Sequence, residues 1–315
     1  MDFTSPYFPA AWVTSLKDAS VPSLQDLADA LLQELKWPEW VRFYSKPSLA
    51  VVALSAWTEA RGLPKGVMWM APGTGRPFQS ASPQAGVAIL RGDWAPLKET
   101  MLAAQEEVRE RGQILVLDES ATGFRLARGG AREYFGLEPD AAIYGSALAG
   151  GLGFTALAGR GKPPEQPAST PSPEALAAAA AILPRAAAGL SQHLADLGRI
   201  LGLGLDYFSR TAGVDGQVER EGPLALPRLR GKRLWAFMEL AKEEGLNLGP
   251  LVMLDPGLEL SSAQELIWPR LARAFARLKI LPEGEKAPLG WRDAGQRLSC
   301  PQVDEMLKDI NLGQD

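Results

Sequence analysis

Two adjacent carboxylates, Asp118 and Glu119, follow the short apolar run at residues 114–117. A run of this kind is typical of a buried parallel strand, which delivers the polar residues after it to the carboxyl edge of its sheet. Open α/β folds bind ligands at that edge, so Asp118 is a candidate partner for a cationic ligand. In the structural alternative, Asp118 caps the following turn or pairs with Arg125 or another arginine.

Nucleophilic and metal chemistry have few candidates in this chain. It contains one histidine, His193, and one cysteine, Cys300, which are too few ligands for a zinc site and exclude an internal disulfide. His193 lies beside the leucine stripe of a predicted helix, which favours a solvated or boundary position. Ser146 lacks the Gly-x-Ser-x-Gly frame of a serine nucleophile. We therefore expect neither a metal site nor nucleophilic catalysis of the Ser-His or Cys-His type.

Two glycine-containing segments match phosphate-binding patterns only loosely. Residues 151–156 precede a predicted strand, whereas the dinucleotide fingerprint stands between a strand and a helix. Gly161-Lys162 lacks the flanking residues of a phosphate loop, and Pro163 opposes the helix that such a loop requires. Neither segment indicates a nucleotide site.

The composition narrows the choice of partners. Of the 315 residues, 46% are hydrophobic and 22% are charged, as in an ordinary globular protein. The net charge of −4 gives no overall field that attracts nucleic acid. No apolar run approaches the roughly 20 residues of a membrane helix, and no basic segment typical of a signal peptide opens the sequence. We expect a cytoplasmic protein that binds neither nucleic acid nor membranes.

Short apolar strands alternate with amphipathic helices along the sequence. Strands are predicted at 40–44, 67–70, 87–90, 114–117, 141–144, 154–158 and 251–254. Helices are predicted at 24–35, 49–60, 96–111, 174–181, 186–201, 231–245 and 262–278, with N-caps at Ser23, at Ser45 or Ser48, and at Ser262. A mixed segment with turns is predicted at 202–230. The alternation predicts an α/β fold in which a mainly parallel sheet lies between helices.

The segment 114–160 carries a family resemblance. It contains, in order, a strand ending in Asp-Glu, then Thr-Gly-Phe-Arg, Gly-Gly, Pro-Asp and a glycine-rich stretch. This order resembles the core of the class III (subgroup II) aminotransferases, and most of all the glutamate-1-semialdehyde aminomutases. Residues 24–60 and 237–277 resemble flanking parts of the same family more faintly. The resemblance implies the three-layer fold type I of pyridoxal-phosphate transferases, with a small C-terminal α+β domain.

The resemblance also implies a division of the chain. Residues 1–40 would form an N-terminal arm and helix, and residues 41–200 a large α/β domain that is shortened between 61 and 113. Residues 201–279 would form the small C-terminal domain, and residues 280–315 a tail.

The family binds pyridoxal phosphate, and the resemblance implies that most of its anchors are altered here. Asp118 stands where an aspartate pairs with the pyridinium nitrogen. Ser146 stands at the Schiff-base lysine, and a hydroxyl cannot condense with an aldehyde to give an imine. The phosphate cup becomes Lys46-Pro47-Ser48, in which Pro47 has no N–H to donate.

Two further anchors lie in loops. Ser169 and Thr170 fall near the family's phosphate-binding threonine, which comes from the partner subunit. Residues 71–75 fall where an aromatic ring stacks on the pyridine, and they contain no aromatic residue.

From these losses we expect a catalytically inactive pseudoenzyme with no catalytic residue and no cofactor. It would act as a binding or assembly partner, as a homodimer or as a heteromer with a paralogue of the same fold. The alternative is a class III protein that binds pyridoxal phosphate non-covalently. A third hypothesis places a small anion on Arg125 or Arg42. The residues that would hold pyridoxal phosphate in the alternative are Asp118, Ser48, Ser146, Ser169 and Thr170.

Overall fold

A computed structural model describes most of the chain. The described residues are 21–70, 77–78, 85–91, 98–165, 169–214, 218–221, 224–227, 231–246 and 257–280. They fall into two compact units, one formed within residues 21–194 and the other within residues 195–280. None of the described helices has the length and apolar character that a membrane crossing demands.

The first unit is built on a seven-stranded sheet. Its strands span Trp40–Tyr44 (β1), Val67–Met70 (β2), Pro77–Phe78 (β3), Val87–Arg91 (β4), Ile114–Asp118 (β5), Ala141–Tyr144 (β6) and Thr155–Gly159 (β7). Their order in space is β1-β7-β6-β5-β4-β2-β3. β2, β4, β5 and β6 are parallel neighbours, whereas β7 runs antiparallel to β1 and β6, and β3 antiparallel to β2. The predicted α/β fold with a mainly parallel sheet is confirmed.

The register of the strands brings several polar positions to one edge of the sheet. Arg91, Asp118 and Ile143 are neighbours across β4, β5 and β6. Tyr44 is opposite Thr155 in β1 and β7. Because β7 runs against its neighbours, its first residue lies at the edge where β1 and β6 end. Asp118 therefore lies at the carboxyl edge, as its position after an apolar run predicts.

Six described helices belong to the first unit or begin in it. They span Leu24–Leu35 (α1), Pro47–Ala60 (α2), Lys98–Glu110 (α3), Ala131–Phe135 (α4), Pro173–Ala187 (α5) and Leu190–Thr211 (α6). The predicted N-cap of α1 is confirmed: Ser23 accepts a hydrogen bond from the N–H of Asp26, whose carboxylate accepts one from the N–H of Ser23. This capping box satisfies two N–H groups at the helix start.

Helix α2 packs against the face of the sheet that carries Asp118. Leu54 and Trp57 of α2 share one apolar cluster with Val116 of β5. Because side chains alternate across a strand, Asp118 lies on the same face as Val116, and Glu119 lies on the opposite face. Burial of each large apolar side chain contributes about 1.5–3 kcal/mol, so this cluster holds the carboxyl ends of the strands in register.

The start of α2 differs from the prediction. The helix begins at Pro47, and its N-cap is Lys46, which makes no side-chain capping hydrogen bond. The predicted cap at Ser45 or Ser48 is therefore wrong. Proline is favoured in the first turn because its ring fixes a helical φ and its missing N–H would have no partner there.

Helices α5 and α6 are longer than predicted. α5 continues through Pro184, in an alanine-rich sequence with high helix propensity. The break comes instead near Gly189, whose φ of +104° ends the helical geometry. α6 then extends through part of the segment that was expected to be mixed.

Besides most of α6, the second unit contains two helices and a two-stranded sheet among its described residues. Its elements span Val218–Glu221 (β8), Leu224–Pro227 (β9), Gly231–Glu243 (α7) and Leu260–Ile280 (α8), and β8 pairs antiparallel with β9. Phe237 of α7 stacks on Phe275 of α8 with ring centroids 4.5 Å apart. α8 begins at Leu260, so Ser262 is inside the helix and the predicted cap there is wrong. The strand predicted at 251–254 and the tail lie outside the described residues.

Candidate functional site

Asp118 lies at the carboxyl edge of the sheet with its side chain 11% exposed. Its Oδ1 accepts a hydrogen bond from the N–H of Ser120 at 3.0 Å. Its Oδ2 lies 3.8 Å from Nε of Arg91, the last residue of β4. Asp118 therefore both binds the following turn and pairs with an arginine. Since a carboxylate has about four lone-pair sites, it can accept a further hydrogen bond from a ligand.

Glu119 is enclosed on the opposite face of the sheet. Its carboxylate accepts hydrogen bonds from the N–H groups of Ala131 and Arg132, each at 2.8 Å, and from the hydroxyl of Thr122. Burial raises the pKa of Glu119 to about 7, although these hydrogen bonds act in the opposite direction. Glu119 therefore holds the chain between β5 and α4 in place.

A glycine makes room for the Glu119 carboxylate. Gly130 has a φ of +72°, and a Cβ at this position would overlap Oε2 of Glu119. Glycine adopts this left-handed conformation at little cost, and its lack of a side chain lets the carboxylate reach the first N–H groups of α4. The pair Gly129-Gly130 is the sequence signal for this contact.

A second polar group lies where β1 leads into α2. The hydroxyls of Ser45 and Ser169 are 2.6 Å apart and share a hydrogen bond. Ser48, in the first turn of α2, and Thr170 are both exposed. The structure thus brings Ser169 to the start of α2 through Ser45, a contact that the sequence alone did not indicate. N–H groups at a helix start commonly bind anions, although Pro47 supplies none.

Ser146 follows β6 closely. Residues Ser146–Ala149 form a short 3₁₀ turn, and the side chain of Ser146 lies outside the described residues. The residue before it, Gly145, is tightly placed, because a Cβ there would come within 2.7 Å of the Ser120 hydroxyl oxygen. The turn that carries Ser146 is therefore packed against the turn that follows Asp118.

Two buried hydroxyls lie near the same edge of the sheet. Tyr44 Oη and Thr155 Oγ1 are enclosed and have no hydrogen-bond partner among the described residues. Burial raises the pKa of Tyr44 to about 12, against the opposing charge of Arg42. An unsatisfied buried hydroxyl costs about 1–3 kcal/mol, so an additional polar partner here would be stabilising. Neither residue stands out in the sequence, because only the pairing of β1 with β7 brings them together.

Three of the remaining candidates, His193, Arg125 and Arg42, lie among the described residues. His193 is half-buried on α6. Arg125 is 3% exposed, and Arg42 is half-buried on β1, where it donates to the carbonyl of Val41. Within the described part of the chain, no three His, Cys, Asp or Glu side chains are grouped to hold a metal ion. The expectations for residues 71–75 and for Cys300 fall outside that part.

The chemistry of these groups suits a phosphorylated pyridine. Asp118 offers a carboxylate to a ring nitrogen. Ser45, Ser48 and Ser169 offer hydroxyls to a phosphate at the start of a helix, where backbone N–H groups favour an anion. The residues present therefore fit pyridoxal phosphate as a ligand held by hydrogen bonds and charge.

Comparison with known proteins supports the resemblance seen in the sequence. No protein-family model matches this chain. The glutamate-1-semialdehyde 2,1-aminomutase of Thermus thermophilus is 39% identical over 138 residues, 40% of this chain and 32% of that protein. The enzyme of the same name from Persephonella marina is 33% identical over 192 residues, 56% of this chain and 45% of that protein. The chain thus spans less than half the length of these relatives.

Solved structures agree on the fold. The N-acetylornithine aminotransferase of Stenotrophomonas maltophilia superposes with a TM-score of 0.66 at 18% identity, covering 85% of each chain. The FumI protein of Sphingopyxis, solved as its PLP internal aldimine form, gives a TM-score of 0.69 at 17% identity, covering 86% of this chain and 81% of that one. The chain has the type I fold of pyridoxal-phosphate-dependent aminotransferases, and the resemblance of the sequence to the glutamate-1-semialdehyde aminomutases is confirmed.

The expectation that no cofactor is involved is wrong. The structural neighbours include, besides the FumI protein, a transaminase with PLP bound, which gives a TM-score of 0.68 at 16% identity and covers 86% of this chain and 82% of that one. Both of these neighbours carry pyridoxal phosphate, so a cofactor is expected for this chain. The expectation failed because it counted lost anchors, whereas the carboxylate at Asp118 and a set of hydroxyls near α2 remain.

Proposed function

We propose that this chain, which has the fold of the class III aminotransferases, binds pyridoxal phosphate non-covalently and does not catalyse transamination or aminomutation. The observation that carries the proposal is the position of Asp118. It is an almost buried carboxylate at the carboxyl edge of β5, while the position that resembles the family's lysine holds Ser146. A ligand-binding carboxylate is thus present without the amine that covalent chemistry needs.

In the proposed complex, Asp118 binds the ring end of the ligand. Its Oδ1 is oriented by the Ser120 N–H, and its Oδ2 lies towards Arg91. A hydrogen bond from a protonated ring nitrogen to this carboxylate is charge-assisted and contributes about 1.5–3 kcal/mol. When bound, pyridoxal phosphate supplies an electron-accepting ring and an aldehyde.

The phosphate end of the ligand would lie at the start of α2. The Ser45 and Ser169 hydroxyls share a hydrogen bond, and the one that accepts it can donate its own proton to a phosphate oxygen. Ser48 adds a hydroxyl from the first turn of α2. Because Pro47 lacks an N–H, we expect weaker phosphate binding than a cup built wholly from backbone donors would give.

The absence of an amine at position 146 supports the inactive part of the proposal. A serine hydroxyl cannot replace a lysine that must form and break a bond to an aldehyde carbon. Two other amines considered as replacements are Lys46, the N-cap residue of α2, and Lys162, whose backbone carbonyl accepts a hydrogen bond from the Trp57 indole. We propose that the protein acts through binding, as a homodimer or as a heteromer with a paralogue of the same fold.

The test is a titration with pyridoxal phosphate, followed by visible absorbance, dialysis and borohydride reduction. We expect wild type to bind the cofactor reversibly and to release it on dialysis after reduction. Ser146→Lys should retain cofactor covalently after reduction, with the label at position 146 in peptide mapping. Asp118→Asn, the matched control at the ring end, should bind about tenfold or more weakly than wild type.

Two results would contradict the proposal. Wild type that binds no pyridoxal phosphate at any concentration used would exclude the binding part. A reduced label on Lys46 or Lys162 of wild type, together with amino-group transfer, would exclude the inactive part.

A further inference from the structure

Arg91 and Asp118 form an ion pair at the carboxyl edge of the sheet. They are the last residues of neighbouring parallel strands and are directly paired in register. Nε of Arg91 lies 3.8 Å from Oδ2 of Asp118, and the Arg91 side chain is 33% exposed against 11% for Asp118. The chain itself therefore brings a positive charge to the carboxylate on which the proposed function depends.

A guanidinium and a protonated ring nitrogen would compete for the same carboxylate. Arginine stays charged in proteins, so its attraction to Asp118 does not depend on the ligand or on pH in the ordinary range. Oδ1 of Asp118 already accepts the Ser120 N–H. A ligand cation that binds Oδ2, the oxygen towards Arg91, would meet a cation already present there. The charge of Arg91 would therefore weaken the interaction of the ligand with Asp118.

Resting on the proposed function, we propose that Arg91 determines the specificity of the site. Its positive charge reduces the preference of Asp118 for a ring with a positive charge at its nitrogen over a ring without one. The ligand class that follows is an aromatic aldehyde phosphate whose ring need not be protonated.

This role of Arg91 agrees with the serine at position 146. A protonated ring nitrogen is what makes pyridoxal phosphate a strong electron acceptor. A residue that weakens the preference for that protonated form makes the bound ring a weaker electron acceptor without preventing binding. Arg91 on β4 and Ser146 after β6 therefore act in the same direction, towards a protein that binds and does not react.

A merely structural ion pair would behave differently. Partly exposed pairs stabilise a fold by little, and their removal does not change the relative affinity for two ligands of the same shape. The test must therefore compare two such ligands, so that a general loss of fold or of phosphate binding cancels in the ratio.

The experiment measures the dissociation constants of pyridoxal phosphate and of its carbocyclic analogue, in which carbon replaces the ring nitrogen. Calorimetry is used on wild type, Arg91→Met, Arg91→Lys and Arg111→Met. The last is the matched control, because Arg111 has a comparably exposed ion pair with Glu107 on α3. We expect wild type and Arg111→Met to prefer pyridoxal phosphate about tenfold, through the hydrogen bond of its ring nitrogen to Asp118. Arg91→Met should raise this preference by up to about fivefold more, and Arg91→Lys should restore much of the wild-type ratio.

The outcomes separate the two proposals. Binding by wild type with the same ratio in Arg91→Met overturns the role of Arg91 and leaves the proposed function standing. Binding by Arg91→Met alone overturns both, because Arg91 would then prevent binding instead of adjusting a preference. No binding of either ligand by any variant also overturns both. A raised preference in Arg91→Met that disappears in the double variant Arg91→Met/Asp118→Asn confirms that Asp118 carries the effect.

Discussion

Asp118 and Glu119 are adjacent in sequence, yet they occupy two very different regions. Glu119 is enclosed on the face of the sheet opposite Asp118, where three donors of its own chain bind its carboxylate. Gly130, which has no side chain, leaves room for that carboxylate. Asp118 lies on the other face near the edge, beside a backbone donor and a partly exposed arginine. The two carboxylates show how one strand end can enclose a carboxylate on one side of the sheet and leave another near the edge on the other side.

The difference concerns how much of each carboxylate's environment is fixed. Glu119 is bound by backbone N–H groups at the start of α4, whose positions change only if that turn unfolds. The arginine beside Asp118 is a long, partly solvated side chain that can move when a ligand arrives. We therefore assign the stability of this region to Glu119, and the proposed binding of a ligand to Asp118.

The largest expected effect tests the fit around Glu119. Gly130→Ala should lower the free energy of unfolding by about 4 kcal/mol, because it adds backbone strain and an overlap with Oε2 of Glu119. Gly136→Ala is the matched control, since Gly136 has a φ of +73° and a Cβ placed there would meet no described atom beyond its chain neighbours within 4 Å. It should cost about 1 kcal/mol, from backbone strain alone. Urea denaturation measures both, and equal losses would show that the carboxylate does not fill the space.

The next effect concerns pH. The pKa of Glu119 is raised to about 7 by burial, above the value of about 4.3 expected in the unfolded chain. The folded state therefore holds this proton more tightly, and the free energy of unfolding should fall by roughly 3 kcal/mol as pH rises from about 4.5 to 7. Glu119→Gln should remove this slope in urea denaturation at pH values between these limits. A slope of unchanged size in the variant would assign it to other groups.

The smallest effect on the free energy of unfolding is predicted at Asp118. Asp118→Asn should change the free energy of unfolding by less than about 1 kcal/mol, because its ion pair with Arg91 is partly exposed. Its effect should appear instead in the affinity for pyridoxal phosphate. A loss of stability as large as that expected for Gly130→Ala would contradict the assignment of different roles to the two carboxylates.

Much of the fold could be predicted because it depends on local patterns. The apolar run before Asp118 is found as β5, and the capped leucine stripe after Ser23 is found as α1. The cap of α2 was missed because Ser45 binds Ser169, a residue far along the chain, instead of the helix beside it. Local sequence contains no information about such a competing partner.

The candidate site was predictable only in part for the same reason. Asp118 follows a buried strand and could be found from that pattern alone. Arg91 also follows an apolar run, but its meeting with Asp118 depends on β4 and β5 being neighbours in register. The order of strands in a sheet is a tertiary property, so the resident counter-ion of Asp118 emerged only from the structure.

The antiparallel strand β7 has a consequence for synthesis. β1 pairs with β7 alone among the described strands, and Trp40 meets Gly159 across that ladder. During translation the apolar segment of β1 therefore remains unpaired until the chain through Gly159 has left the ribosome. Contacts of such long sequence separation form slowly, and an unpaired apolar strand is prone to aggregate. A chaperone that covers residues 40–60 would therefore protect the nascent chain for that interval.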